Sequence, residues 1–434
     1  MELFVPAKIK AHSLTGRITF RLLDDSFRAV RRNRGAAGID RVSIKMFEAN
    51  LFENLCSVMA DLKDGSFEPK PLRRHYLDKG NGKLRPLGIP AVRDRVAQEV
   101  LRRLLTPIFE PLFHDASYGF RPGRNCHMAL TQVLKHHEAG YQVVVDADIH
   151  GFFDNLLHRI IMQAVAAQVA DGNILNLIEK FLRAGVMENG VFKPTTVGTP
   201  QGGVISPLLA NIVLNHLDWQ LQERGYRFVR YADDFVVLTQ TKAQAEEALA
   251  FIAQTLEKLG LSLSPNKTRI TTYRGGYSFL GFELSRRSRR MRDKSVKKFQ
   301  DKVRQLTTRH HNLDATVIEK LNPAIRGTAL YFTPPWATTR RQLSRMDGWM
   351  RMRVRAMWSK RKRITDNYRL RNKKLAQLGL LSLSSFCPNP SARQCSRSTL
   401  ICGWWMTSPM MRIITRMTSA SGLWRTGGSR RTPP

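Results

Sequence analysis

The sequence is short of acidic residues and cysteine, and it has no long apolar run. Only 35 Asp and Glu stand against 70 Lys and Arg, and the five Cys among 434 residues form no C-x-x-C pair. This cysteine usage argues against a zinc ribbon or a disulfide framework. No run of about 18 or more apolar residues occurs, and the N-terminus lacks the apolar segment of a secretory signal. We therefore predict a cytoplasmic protein with no membrane partner.

What the sequence has in excess is positive charge. A net charge of +35 predicts a polyanionic partner, since Lys and Arg release counterions when they neutralise phosphates. A generally basic protein without such a partner is the alternative, because net charge says little about fold. Beyond Asp366 there is no acidic residue, and residues 382–434 lose periodicity. We assign this tail no fold; it is either a basic arm or a frame-altered end of the gene.

Acidic residues do occur in two strand-like segments. RYADDFVVL (residues 230–238) sets Asp233 beside Asp234, and QVVVDADIHGFFDN (142–155) places Asp148 near the end of another apolar run. If these strands pair, the carboxylates meet and repel one another unless a cation lies between them. Hard oxygen ligands select Mg²⁺, and two such ions about 4 Å apart would activate a 3′-hydroxyl and stabilise a leaving pyrophosphate. The alternative is a polar hairpin turn.

Two further segments carry groups suited to a nucleotide. VGTPQGGVISPLLANIVLNHLD flanks Gln201 with glycines that permit close approach to a base pair, then places Ser206 as N-cap and Pro207 as the first helical residue. GNGKLRPLGIP carries Lys83 and Arg85 on a predicted hairpin, where they can grip a triphosphate. Each cation has a simpler alternative as a solvated charge.

Seven short blocks follow one another in a recognisable order: KLRPLGIP, SYGFRPGRN, DADIHGFFDN, GTPQGGVISPLLANI, RYADDF, LSLSPNKT and FLGFEL. Together they resemble the reverse-transcriptase blocks of the group II intron-encoded proteins, especially the compact bacterial kind without a nuclease domain. The resemblance covers roughly residues 20–375. It implies an α+β right-hand polymerase of fingers, palm and thumb, with a helical basic thumb or maturase region.

The resemblance also implies a division of the chain. We expect an N-terminal extension and fingers in residues 1–90, and the remaining fingers and the palm in 91–285. The helical thumb or maturase X region follows in 286–381, before the unassigned tail. SVKKFQDKVRQL (295–306) predicts a thumb helix with an apolar face and a basic flank for a nucleic-acid duplex.

The same resemblance assigns the chemistry. Asp148, Asp233, Asp234 and the backbone carbonyl of Ile149 are the implied ligands of two Mg²⁺ ions. Lys267 matches the lysine that protonates pyrophosphate, a general-acid role; an ordinary surface lysine is the alternative. Asp146, two positions before Asp148, has no implied metal role, and we interpret it as structural.

Phe153 matches the aromatic residue that excludes a 2′-hydroxyl from the incoming sugar, with a simple core phenylalanine as the alternative. The resemblance places the remaining contacts on Lys83 and Arg85 for the triphosphate, Gln201 for the nascent base pair, Tyr231 for substrate, and Arg121 and Arg124 for template phosphates.

The implied function is that of an RNA-directed DNA polymerase. It extends a DNA primer on an RNA template, a group II intron RNA, using deoxynucleoside triphosphates and Mg²⁺, and also binds intron RNA as a splicing maturase. Two alternatives stay open: an RNA-binding splicing cofactor without significant polymerase activity, and an intron-free reverse transcriptase used in defence or repair.

Overall fold

The computed structural model describes residues 3–78, 84–188, 190–199, 202–308, 312–361 and 364–388. The chain divides into two compact units, Met1–Arg287 and Ser288–Pro434. The finer boundaries predicted at residues 90 and 381 stay predictions.

Ten helices and ten strands lie in the described part of the first unit. The helices are α1 (Phe20–Arg32), α2 (Ile44–Ala49), α3 (Leu51–Asp64), α4 (Val92–Phe109), α5 (Cys126–Glu138), α6 (Phe152–Asn155), α7 (His158–Ala166), α8 (Gly172–Arg183), α9 (Ser206–Glu223) and α10 (Lys242–Lys258). The strands are β1 (Leu72–Asp78), β2 (Leu84–Ile89), β3 (Val143–Asp148), β4 (Val186–Glu188), β5 (Val191–Lys193), β6 (Arg227–Tyr231), β7 (Asp234–Thr239), β8 (Arg269–Thr272), β9 (Tyr277–Phe279) and β10 (Phe282–Leu284).

The second unit is helical in its described part, apart from one short strand. Its elements are β11 (Arg289–Met291), α11 (Asp293–Leu306), α12 (Ala315–Phe332), α13 (Arg340–Ser359), α14 (Asp366–Arg369) and α15 (Asn372–Gln377).

The predicted hairpin in residues 72–90 forms the edge of a four-stranded sheet with the order β2-β1-β4-β5. Strands β1 and β2 are antiparallel, from Arg73 opposite Ile89 to Asp78 opposite Leu84. The turn itself, residues 79–83, lies outside the described residues.

A second four-stranded sheet, with the order β6-β7-β3-β8, forms the centre of the first unit. Strand β3 is antiparallel to both β7 and β8. Val145, Phe235 and Val237 lie on one face of this sheet and are buried in the same core as residues of helix α10, which packs against β3, β7 and β8. Val144 points to the opposite face and is buried as well. This burial explains why both strands read as nearly continuous apolar runs interrupted by acidic residues only near their ends.

One predicted helix boundary was wrong. Helix α9 begins at Ser206, and Ile205 is its N-cap. The buried Ile205 offers its carbonyl to the amides of Leu208 and Leu209, so the first turn starts one residue earlier than predicted. Helices α2 and α3 are separate elements, because Asn50 (φ −120°, ψ 48°) between them leaves the helical region.

The second unit is built on α11, α12 and α13. The predicted apolar face of α11 is confirmed, with Phe299 and Val303 buried. The tail to which the sequence assigned no fold begins with a segment, residues 382–388, that packs on α13. The Asp347 carboxylate on α13 accepts hydrogen bonds from the amides of Leu383 (2.7 Å) and Ser384 (2.9 Å), which fix a 3-10 turn at Ser384–Phe386.

Among the described residues, no helix combines the length and the apolar character that crossing a membrane requires.

Candidate active site

The central sheet brings the acidic residues of two distant segments together. In the antiparallel register of β3 and β7, Asp148 lies directly opposite Asp234. Directly opposed residues project their side chains to the same face, with Cα atoms about 4.5–5.5 Å apart. The expected pairing of the two strands is therefore confirmed.

Asp233 lies in the tight turn between β6 and β7. Its neighbour Ala232 has a φ of 60°, a left-handed conformation that costs about 1–3 kcal/mol for a residue other than glycine. The turn follows Tyr231, which is opposite Asp234 in the pairing of β6 and β7. All three predicted carboxylates thus lie at one end of the sheet.

A buried arginine, Arg230, fixes this turn through a hydrogen bond to its backbone. Arg230 has 1% of its side chain exposed and pairs with Asp218, whose side chain is fully buried. Its guanidinium also donates to Asn211 Oδ1 (2.9 Å) and to the carbonyl oxygen of Ala232 (3.0 Å). Sequence reasoning missed this network, although the polar residues Asn211, Asn215 and Asp218, at helical spacing within the largely apolar helix α9, were the available signal.

The loop SYGF (residues 117–120) also contacts this turn and the strand before it. Tyr118 donates its amide to the carbonyl of Arg230 (2.8 Å), and Asn211 Nδ2 donates to the carbonyl of Gly119 (2.8 Å). A Cβ atom at Gly119 would lie 2.2 Å from the Ala232 nitrogen, so only glycine permits this approach.

A backbone turn over residues 264–268 places Lys267 next to Asp148. The amide of Ser264 donates to the carbonyl of Asp148 (2.7 Å), and the amide of Thr268 donates back to Ser264 (2.9 Å). Lys267 Nζ then lies 2.7 Å from Asp148 Oδ2, with 68% and 41% of the two side chains exposed. The predicted general acid and a predicted metal ligand are therefore ion-paired partners.

Asp146 has a partner of its own. Its carboxylate lies 3.1 Å from Nε of Arg269, which is opposite it on β8. Burial raises the pKa of Asp146, while Arg269 opposes that shift. This pairing agrees with a structural role.

Phe153 follows the end of β3 on the short helix α6. It is partly buried against the core and meets Phe152 edge to face, with 5.1 Å between ring centroids. Its carbonyl accepts the amide of Thr199 (2.7 Å). This contact docks the start of the TPQGG segment beside the residues that follow Asp148.

The glycines of this segment approach protein backbone. A Cβ atom at Gly202, whose φ is 120°, would lie 2.4 Å from the carbonyl oxygen of Gly88, and one at Gly198 would lie 2.7 Å from that of Asp154. Val204 donates its amide to Oε1 of the buried Gln98 (2.7 Å). The residues that flank Gln201 are thus in contact with Gly88, Asp154 and Gln98. Gln201 itself lies outside the described residues.

Arg121 is engaged by other residues of the fold. Its side chain is only 4% exposed and pairs with Glu110 at 2.9 Å, and Nη1 donates to the carbonyls of His114 (2.7 Å) and Ser117 (2.9 Å). These contacts favour a structural role for Arg121, and the predicted contact with template phosphates stays a prediction. Arg124 is 19% exposed and bound to Asp115, so only a small part of it can contact a template.

The remaining predicted residues are described in part or not at all. Lys83 lies outside the described residues, and Arg85 is described only as a residue of β2, opposite Leu77. Tyr231 is half-buried, and burial together with Cys126 raises its pKa to about 12, so the phenol stays protonated at neutral pH. The contacts predicted for these residues stay predictions.

The site offers oxygen ligands only, from Asp148, Asp233, Asp234 and the backbone at Ile149. This donor set suits Mg²⁺ and excludes a preference for softer metals. In the described part of the chain, no group of three His, Cys, Asp or Glu side chains is already arranged around one point.

Two family models match the chain. Residues 77–284 match "Reverse transcriptase (RNA-dependent DNA polymerase)", and residues 296–376 match "Group II intron, maturase-specific domain". The two matches define a reverse transcriptase with a maturase domain. Protein YkfC of Escherichia coli is 36% identical over 309 residues, which cover 62% of this chain and 81% of YkfC. The chain belongs to the family of group II intron-encoded reverse transcriptases and maturases.

Other relatives match over shorter parts. Group II intron-encoded protein LtrA of Lactococcus lactis is 40% identical over 208 residues, 48% of this chain and 34% of LtrA. A 91 kDa protein in the cob intron of Schizosaccharomyces pombe is 32% identical, and the match covers 52% of this chain and 36% of that protein. A chain of the solved "Partial Cas6-RT-Cas1--Cas2 complex" is 23% identical over 56% of this chain and 40% of its own, with a TM-score of 0.36.

The predicted family, the mixed α and β right-hand fold class and the enzyme class, an RNA-directed DNA polymerase, are confirmed. The roles of single residues are the subject of the proposal below.

Proposed function

We propose that this chain extends a DNA primer on an RNA template by adding deoxynucleotides at a two-Mg²⁺ site. The observation that carries the proposal is the register that sets Asp148 opposite Asp234, with Asp233 in the adjoining turn. The matched reverse-transcriptase segment contains all three residues. The proposed setting is the cytoplasm, with RNA, a DNA primer and deoxynucleoside triphosphates as partners.

The carboxylates and the Ile149 carbonyl would hold the two Mg²⁺ ions. When bound, these ions supply the activation of the primer 3′-hydroxyl and the neutralisation of charge on the departing pyrophosphate. The chain's own part is to hold the carboxylates in place, and the Arg230 contact to the Ala232 carbonyl does so for Asp233. Lys83 and Arg85 would bind the triphosphate, and Gln201 would lie by the nascent base pair.

Lys267 would hold a proton at Nζ for the leaving pyrophosphate. In the structure this ammonium lies 2.7 Å from Asp148, which is a proposed metal ligand. A bound triphosphate would take Lys267 from Asp148, and Asp148 would then be available to hold Mg²⁺. Each exchange replaces one charge pair by another, so the exposed salt bridge is suited to opening when substrate binds.

The test is primer extension on poly(rA) with oligo(dT), dTTP and Mg²⁺. We expect Asp233→Asn to abolish extension, because the neutral amide cannot serve as an ionised metal ligand. Asp146→Asn is the matched control: it lies two residues from Asp148 on the same strand and faces Arg269, so it should retain most of the activity. Absence of extension by the unmodified chain under these conditions contradicts the polymerase proposal.

A second experiment tests Phe153 as the residue that excludes ribonucleotides. Its position directly after the carboxylate-bearing strand supports this role. We expect Phe153→Ala to accept rTTP, with discrimination between dTTP and rTTP reduced by about tenfold or more, the range expected for a steric contact of this size. Phe152→Leu, a change at the buried neighbour, is the control. Unchanged discrimination in Phe153→Ala removes the assignment.

The maturase-specific match supports a second function, the binding of intron RNA as a splicing cofactor. That match covers residues 296–376 and contains none of the three carboxylates. We therefore expect Asp233→Asn to lose primer extension and to keep any ability to promote splicing of its cognate intron. Loss of both activities in this variant would contradict two separable functions.

A further inference from the structure

The second unit contains a cavity of about 670 Å³ between α13 and the segment that follows it. We call it the arginine pocket and define it by six of its lining residues: Gly348, Arg351, Met352, Arg355, Arg361 and Asn367. Its volume is in the range of about 300–1,000 Å³ that is usual for ligand sites.

The charges that line this pocket do not balance. Arg351, Arg355 and Arg361 line it together with one acidic residue, Asp366. Arg355 is only 8% exposed, and its described hydrogen bonds end on neutral oxygens, the carbonyl of Leu370 (2.8 Å) and Oδ1 of Asn372 (2.7 Å).

Burial of this charge has an electrostatic consequence, which the carboxylate of Asp366 opposes only in part. Burial and then Arg351 lower the pKa of Arg355, since both disfavour another positive charge at this place. The Asp366 carboxylate is partly engaged by the hydroxyl of Ser359 (2.8 Å). An anion bound between the arginines would relieve the repulsion among them.

The pocket is also more than an anion site. Met352, Ala356 and Ile364 give it an apolar wall, and Asn367 provides a side-chain amide that can both donate and accept. Guanidinium planes and apolar side chains are surfaces on which an unpaired base can stack, while arginine forks bind phosphate. A phosphate alone would use only one part of this lining.

We propose that the arginine pocket binds one unpaired nucleotide of a single-stranded RNA segment, with the phosphate between Arg351 and Arg361 and the base against Met352. This site lies in the second unit and uses none of the residues proposed for nucleotide addition. Its test is a binding measurement, so it can fail while primer extension succeeds, and the reverse.

The experiment uses the full chain and a short oligouridylate that carries one 4-thiouridine. Irradiation should link the modified base to a peptide of residues 348–367, and fluorescence anisotropy should give the affinity. Two variants probe the pocket: Arg351→Gln removes one phosphate contact, and Gly348→Leu fills the cavity without changing charge. Arg345→Gln, an exposed position on α13 outside the pocket, is the control with the same change of charge.

We expect the crosslink yield and the affinity to fall about tenfold in Arg351→Gln, the loss of one charged hydrogen-bonded contact, and similarly in Gly348→Leu. Arg345→Gln should change them by less than a third of that amount. A Cβ atom at Gly348 meets nothing within 4 Å, so the filled variant should fold even where an arginine variant does not.

The proposal is overturned if Arg351→Gln and Arg345→Gln weaken binding equally and Gly348→Leu has no effect, since that pattern describes a diffuse basic surface. Competition separates the possible ligands. AMP should displace the crosslink at concentrations where inorganic phosphate does not. Equal displacement by phosphate would reduce the pocket to an anion site, and AMP binding as tight as the oligonucleotide would assign it to a free nucleotide; either result overturns the RNA assignment.

Discussion

The two edges of the central sheet, β6 and β8, differ in the solvent exposure of the ion pairs beside them. On the β6 side, Arg230 and Asp218 form a pair that is almost completely buried, with 1% and 0% of the side chains exposed. On the β8 side, Lys267 and Asp148 form a pair with 68% and 41% exposed. The first pair contacts the turn that carries Asp233, through the Ala232 carbonyl, and the second pair includes Asp148 itself.

A buried pair resists exchange, because either partner left alone would be an unsolvated charge. It therefore suits the fixed part of the site, the turn that presents Asp233. An exposed pair in contact with water contributes little stability and opens at little cost. It suits the roles proposed for the two residues, in which Asp148 binds a metal and Lys267 contacts a phosphate.

Removing Arg230 is the strongest way to test this comparison. We expect Arg230→Met to lower the free energy of unfolding of the first unit by about 3–5 kcal/mol, because Asp218 is left buried and unpaired. Urea denaturation followed by circular dichroism measures this. The double variant Arg230→Met with Asp218→Leu should regain most of the stability, since no buried charge is left.

The same double variant separates stability from positioning. Its primer extension should stay well below that of the unmodified chain, because the contact from Arg230 to the Ala232 carbonyl is still missing. Full recovery of extension in the double variant would show that Arg230 serves the fold alone.

Motif spacing predicted the carboxylates and Lys267, but it did not predict the buried network around Arg230. Asp148, Asp233, Asp234 and Lys267 are short-range features: each is a charged residue next to an apolar strand or a turn, and each falls in a recognisable block. The structure brings them together as that spacing implies.

The buried network depends on long-range contacts that no local pattern contains. Arg230 reaches Asp218 and Asn211 on another element, and Arg121 is held by Glu110. From the sequence, an arginine that binds a phosphate and an arginine that binds a buried carboxylate look alike, since only burial separates them. For this reason the sequence assigned Arg121 a template role, whereas its contacts in the structure favour a role in the fold.

Lys267 gives the second test, with an effect on rate and almost none on stability. We expect Lys267→Met to reduce the rate of nucleotide addition by about 10²-fold or more, the usual contribution of a general acid. The midpoint of urea unfolding should move little, because the lost pair is exposed. Lys258→Met, at the end of α10, is the control for loss of one lysine.

Two outcomes would contradict this assignment of Lys267. A large loss of stability would show that its pair with Asp148 is structural, as on the β6 side. An unchanged rate at saturating dTTP, with only KM raised, would make Lys267 a substrate-binding residue and remove the proton-donor role.

The smallest predicted effect concerns Arg269 and Asp146, a second pair at the β8 edge, in which the Arg269 side chain is 56% exposed and that of Asp146 is 17% exposed. Burial raises the pKa of Asp146 in the folded chain, so the folded state binds a proton more readily than the unfolded state, and its ionisation destabilises the fold as pH rises. Arg269→Met removes the partner that opposes this shift. We expect a cost of up to about 1 kcal/mol at pH 7 and a smaller one at pH 4.5, where Asp146 is more often protonated. A cost that is equal at both pH values, or one as large as that of Arg230→Met, would show that the two sides of the sheet do not differ as their exposure indicates.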